Sequence, residues 1–305
     1  MSLTRFLTPV ALCLCLIGCG RTPASQVSDG GSSKPQVIDV IAKDYAFQLA
    51  DSIPSGWTTI RFRNEGAVVH FFLLNRLPDG VSFADYVEKV GPAFDQSFGA
   101  VQQGKSKEEA IGVLVGLLPE WYAGVRQMGG SGFVSGGGTE ETTMLLGPGS
   151  YVLECYIKTE KGEFHSSLGM VRPLTVTDES SGGEAPVADV DLTLRNYEIV
   201  VDGAIKPGLN TFAVHFAEHP ELGLGNDVHL ARLEEGVPIE KLIVWMDWME
   251  LCGLQTPAPA RFVGGTQEMP VGSTAFFTAD LEPGRYVLLA ESSAARGMVH
   301  EFRIE

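Results

Sequence analysis

The segment LGPGSYVLEC (146–155) returns as LEPGRYVLLA (281–290), and a degenerate repeat extends around both copies. VIDVIAKDYAFQLADSIPSGWTTIRFRNEG (37–66) corresponds to VADVDLTLRNYEIVVDGAIKPGLNTFAVHFAEH (187–219), with Tyr45 and Phe47 against Tyr197 and Ile199 and Ser55-Gly56 against Pro207-Gly208. Arg76-Leu77-Pro78-Asp79-Gly80 matches Arg232-Leu233-Glu234-Glu235-Gly236, and Gly169-Met170 matches Gly297-Met298. Self-similarity on this scale requires two versions of one architecture. The boundaries it implies are 37–176 and 187–305, joined by a polar, Gly- and Ser-rich linker at 177–186.

The matched segments read as strands. Ile60 and Phe62, then Phe212, Val214 and Phe216, alternate with polar or small residues, the period of a half-buried strand. Pro-Gly before Tyr-Val-Leu is a turn feeding a core strand. Short strands with turn signals between them predict all-β sandwiches. Residues 82–128 break this pattern with helical signals, among them Ser82 before FADYVEKV and a Ser106/Glu109 capping box. A shorter equivalent is IEKLIVWMDWMEL (239–251). Both are expected to be helical insertions capping a sandwich end, with Trp121, Trp245 and Trp248 serving packing rather than a ligand cage.

The N-terminus reads as an export signal. Arg5 precedes an apolar stretch from Phe6 to Gly18 that is too short to span a bilayer. Its end, Leu16-Ile17-Gly18-Cys19, resembles the bacterial lipobox. That resemblance implies a signal peptide over 1–18, lipidation of Cys19 and a lipid anchor in the cell envelope, on its periplasmic or surface side. Gly20 rather than Asp after Cys19 favours the outer membrane if the envelope is Gram-negative. Residues 19–36 form the flexible tether. Cleavage removes Arg5 and no acid, so the net charge moves from −16 to −17. Such a chain is not expected to bind nucleic acid, which needs a basic footprint. A basic redox partner suits it, although acidity also serves solubility.

After cleavage Cys155 and Cys252 remain beside Cys19, to be buried, bridged or bound to metal. Cys155 ends the strand SYVLEC, with His165 and Met170 following in CYIKTEKGEFHSSLGM, and His70 closes FRNEGAVVHFF upstream. Two imidazoles, a thiolate and a thioether are the soft and borderline donors that hold copper in both oxidation states. NEGAVVH resembles the plastocyanin-type N-x-G-x-x-x-H approach to a first ligand, and Cys155-x9-His165-x4-Met170 resembles the cupredoxin C-x(n)-H-x4-M loop. The chain is similar to exported cupredoxin-like proteins, which implies two tandem Greek-key cupredoxin-like β-sandwiches with short helical insertions. It also implies one copper per chain, in the first sandwich, with His70, Cys155 and His165 equatorial and Met170 axial. Two departures from the family bear on tuning and rigidity: Phe71 stands where plastocyanins commonly have Asn, and the nine-residue gap is long.

The second copy lacks this set. Asn226 stands opposite His70 and Ala290 opposite Cys155, the loop 291–296 has no His, and His229 is three residues off register. The expected function is type 1 copper electron transfer or copper handling. A metal-free scaffolding or adhesion lipoprotein, with a Cys155–Cys252 bridge, is the alternative. No enzyme is expected: the neighbour of Cys155 is Glu154 rather than a bridging His, and the Gly-rich GGSGFVSGGG (129–138) lacks the Lys-Ser/Thr of a phosphate loop.

Overall fold

The computed structural model describes residues 33–220 and 225–305. The signal peptide, Cys19 and the tether up to residue 32 lie outside the described residues. Among the described residues no helix is long and apolar enough to cross a membrane.

The chain is all-β in class. Its first half supplies β1 (Gln36–Lys43), β2 (Ala46–Gln48), β3 (Ser52–Asn64), β4 (Leu73–Arg76), β5 (Arg126–Val134), β6 (Thr139–Leu146), β7 (Gly149–Glu154) and β8 (Val171–Ser180). The second half supplies β9 (Val190–Arg195), β10 (Glu198–Asp202), β11 (Gly208–Phe216), β12 (Val228–Leu233), β13 (Arg261–Thr266), β14 (Thr274–Leu281), β15 (Gly284–Leu289) and β16 (Val299–Ile304). Pairing follows one scheme in both halves. In the first, β2-β1-β3-β6 is one layer and β8-β7-β4-β5 the other; in the second, β10-β9-β11-β14 and β16-β15-β12-β13 repeat it. β8 runs on through Ser180, so residues 177–180 of the expected linker are strand, with Ser180 opposite Ser55.

The halves share their sheets. β14 pairs antiparallel with β6, and β13 pairs antiparallel with β5. Close approach at the second seam requires glycine: a Cβ on Gly132 would overlap the Gly264 backbone. Phe133 fills the seam, stacked on His229 at 3.9 Å between centroids and packed against Phe262 at 5.2 Å. The core is correspondingly continuous from Val40 in β1 to Ile304 in β16.

The helical signals are realised. α1 (Phe83–Gln102) and α2 (Lys107–Leu117) each begin with a capping box, at Ser82/Asp85 and Ser106/Glu109. Of the expected 239–251 segment, Ile239–Trp245 is helical (α3) and residues 246–251 are turn and bend.

Candidate metal centre

His70 reaches its place through the residues of the N-x-G-x-x-x-H pattern. The Asn64 amide donates to Val68 O at 2.8 Å and Val134 O at 2.7 Å, and its Oδ1 accepts the Gly66 N–H at 2.9 Å, closing the loop after β3. A side chain at Gly66 would press on His70 Nε2 at 2.7 Å, so the small residue leaves room for the ring. His70 is then fixed by a two-way backbone bridge to Val134 at the end of β5.

The nine-residue gap after Cys155 holds a small hairpin. Lys158 pairs with Phe164, Thr159 N–H donates to Glu163 O at 2.9 Å, and His165 N–H donates to Ile157 O at 2.8 Å. The hairpin returns His165 to the side of Cys155. It also docks on the second half: Lys158 N–H donates to Leu254 O at 2.7 Å, and Thr256 N–H to Lys158 O at 3.0 Å. The buried Lys158 ammonium donates to Trp248 O and Glu250 O and lies 3.6 Å over the Phe98 ring. Burial brings it down to about 7. The long gap is therefore pinned at both ends, which answers the concern about rigidity.

Three of the four expected donors converge. Cys155 Sγ lies 3.8 Å from His70 Nδ1 and 3.7 Å from His165 Nδ1, and the two nitrogens are 3.2 Å apart. All three residues are fully buried. Met170 is also fully buried, and its backbone ties the set together: Met170 N–H donates to His165 O at 2.9 Å, and Cys155 N–H donates to Met170 O at 3.1 Å. Cys155 and Cys252 are both free thiols, one buried and one exposed, so the alternative of a bridge between them is not realised.

The electrostatics keep the donors neutral. Burial pushes the Cys155 thiol up to about 12, and burial together with His70 brings His165 down to about 3. Burial likewise lowers His70, partly offset by Asp44. Asp44 accepts from His70 Nε2 at 2.5 Å and from the Ala67 N–H at 3.1 Å. Against partial burial, these donors hold its carboxyl below the usual range. Its role fixes the tautomer: the proton on His70 Nε2 points to Asp44, and the Nδ1 lone pair faces Cys155. Asp44 was not legible in the sequence, because an acid before the Tyr of a strand-like segment looks like an edge charge.

Phe71, the departure from the plastocyanin pattern, provides an apolar tie instead of a hydrogen bond. Its ring meets the ring of Tyr156 edge-on at 4.6 Å, joining the residue after His70 to the residue after Cys155.

A second buried group lies at the seam. Asp227, His229 and Glu291 place one ligand atom each within 4.8 Å of one another. Sequence reasoning dismissed His229 as out of register and missed both acids, which belong to β12's approach and the shortened loop. Burial opposes charge on His229, yet Asp227 and Glu291 outweigh it and carry the ring's proton affinity up to about 9. Geometry limits that pull. The Phe133 N–H donates to His229 Nδ1 at 3.1 Å, so this nitrogen is an acceptor and the ring's one proton sits on Nε2. The same proton removes Nε2 from metal ligation. This group is acidic, and its one imidazole offers no free lone pair in this arrangement.

No protein-family model matches the sequence, and no curated protein does. Solved structures do match. A reduced auracyanin from Roseiflexus castenholzii is 20% identical over 47% of this chain and 98% of its own, with a TM-score of 0.29. A multicopper oxidase is 14% identical over 90% and 93%, with a TM-score of 0.22. A Cu-containing nitrite reductase from Thermus scotoductus is 11% identical over 89% and 62%, also with a TM-score of 0.22. At these scores the likenesses carry no argument for a function of this chain. They do correct one expectation. Two of the structures matched along most of the chain are enzymes by their titles, so the exclusion of an enzyme is withdrawn.

Proposed function

We propose that the chain is a copper redox protein holding one copper ion in its first half, through His70, Cys155 and His165 with Met170 as the weaker fourth donor. The observation that carries this reading is the convergence of one thiol sulfur and two imidazole nitrogens at 3.2–3.8 Å, all buried and all with no cationic neighbour among them. The donor set fits the ion. Sulfur and neutral imidazole suit copper in both oxidation states, and copper stands highest in affinity among the divalent first-row metals. When bound, copper supplies a one-electron couple.

The protein's own residues hold that site still. Asp44 orients His70, the 157–165 hairpin orients His165, and the Met170 backbone joins His165 to Cys155. Donors locked by a second layer of contacts reorganise little between states, which favours electron transfer over copper release.

The lipobox resemblance extends the proposal: Cys19 is lipidated and tethers the chain to the envelope, where its acidic surface would receive a basic partner. Cys19→Ser would then leave an uncleaved precursor that no longer fractionates with membranes.

The test of the central reading is an absorbance spectrum of Cu(II)-loaded protein. An intense thiolate-to-copper band that bleaches reversibly with a reductant, at one copper per chain, supports it. Absence of that band, or its persistence in Cys155→Ala, overturns it.

A further inference from the structure

The cavity beside the donor cluster is unused by the copper reading. It measures about 70 Å3 and lies between the two halves. The residues flanking two of the donors help to line it: Glu154 and Tyr156 on either side of Cys155, Phe164 and Ser166 on either side of His165.

Its chemistry is mainly of two kinds, aromatic and acidic, with Gln127, Ser166 and Gln267 as the neutral polar groups. The rings of Phe94, Tyr122, Tyr156, Phe164 and Trp248 form aromatic wall, drawn from α1, the segment before β5, the hairpin and the turn after α3. Trp248 packs in the core, as expected, and its ring also lines this cavity. The remaining charge is negative: Asp227 and Glu268 from the second half, and Glu154 from the first. No Lys or Arg is among the lining residues. The nearby Lys158 ammonium is engaged by the Trp248 and Glu250 carbonyls.

Among the described residues no Lys or Arg pairs with Glu268, and Asp227 and Glu291 face only the His229 ring, its Nε2 3.7 and 3.6 Å from their oxygens. Burial first, then Asp227 and Glu291, push the Glu268 carboxyl up to about 7. Glu291 sits behind the Tyr156 hydroxyl and is raised to about 7 by burial and by Asp227. One Glu291 oxygen and His229 Nε2 are buried with no hydrogen-bond partner. His229 is neutral by the argument above, so it does not balance these groups. Aromatic faces and carboxylates together attract an organic cation. A primary ammonium needs three hydrogen-bond acceptors around it, and on the side of Phe94, Phe164 and Trp248 the side chains offer none. A quaternary ammonium needs none. The size agrees, since a cavity needs about 10–15 Å3 on this scale to hold one water, and this one admits a group of a few heavy atoms.

We propose that this cavity binds the head of a small quaternary alkylammonium ion, caged by Tyr156, Phe164 and Trp248 and balanced by Asp227 and Glu268. The inference does not rest on copper, because none of these side chains is a metal donor.

The experiment is a calorimetric titration of the full chain, metal-free and copper-loaded, with choline and with its uncharged isostere in which tert-butyl replaces trimethylammonium. Choline should bind saturably in both forms, and the isostere at least about tenfold more weakly, as expected for a desolvated cation–aromatic contact. Glu268→Gln, which preserves shape, should weaken choline about tenfold and leave the isostere unchanged. Trp248→Leu should weaken choline too, with its thermal melt confirming the fold. Equal binding of the two probes, no saturation by choline, or full affinity in Glu268→Gln would each overturn the proposal. Failure of the visible copper band would leave this result untouched.

Discussion

The Tyr156 hydroxyl donates to Glu291 Oε1 at 2.9 Å, and the two residues occupy equivalent places in the repeat. Tyr156 follows Cys155, and Glu291 follows Ala290, at the ends of LGPGSYVLEC and LEPGRYVLLA. The residue that follows the thiol in one half therefore meets its own counterpart from the other. This contact links the donor cluster to the acidic seam through a single residue.

Removing that hydrogen bond should be felt across the molecule. Tyr156→Phe leaves Glu291 Oε1 buried without its donor, and an orphaned buried acceptor costs about 1–3 kcal/mol. The variant's thermal or denaturant midpoint should fall accordingly. An unchanged midpoint would show that water replaces the hydroxyl.

Asp44 should matter to the metal without touching it. Asp44→Asn keeps the shape but weakens the bond that holds the His70 tautomer, and loss of such a partner lowers metal affinity about 10–100-fold. Competition against a copper chelator measures this directly. Equal affinity in the variant would remove Asp44 from the site.

The axial position separates potential from binding. Met170→Leu should keep copper and raise its reduction potential, because a donor favouring the oxidised ion is lost. Cys155→Ala should lose copper altogether. Voltammetry of the first and metal analysis of the second give the two readouts.

Thiol labelling distinguishes the two cysteines. Cys252 is exposed, whereas Cys155 is buried with its thiol pushed up to about 12. The thiolate is the reactive form, so a reagent at neutral pH should label Cys252 rapidly and Cys155 slowly even without metal. Rapid double labelling of native protein would mean that the donor cluster opens readily.

Glu140 gives a pH signature. It is fully buried on β6, accepts the Gly265 N–H at 2.6 Å, and burial raises its carboxyl to about 8 from an ordinary 4.5. The unfolded chain ionises this group near 4.5 and the folded chain only near 8, so its contribution is intact below 4.5 and falls as pH rises through 8. Glu140→Gln should melt above the parent at pH values near 8 and alongside it near 4. Parallel melting curves at both ends would place the ionisation elsewhere.

The elements and the order of the donors can be read from the residues alone. Period-two segments such as Phe212-Ala213-Val214 and the Ser106/Glu109 box need only near neighbours to act, so the strands and capped helices were legible. Asn64, Gly66 and His70 form a loop within one local segment, and their spacing carries its geometry. What meets across long stretches of chain or between the halves follows only from how the sheets assemble. Asp44 reaches His70 from 26 residues away, Tyr156 meets Glu291 across 135, and Phe133 fixes the proton on His229 across 96. Each depends on two strands arriving at one point, and strand pairing between β5 and β13 or β6 and β14 leaves no local mark in either segment. The physical reason is that burial and hydrogen-bond partners are properties of places in space, and a repeat fixes its own sheets while leaving open how its two copies share them.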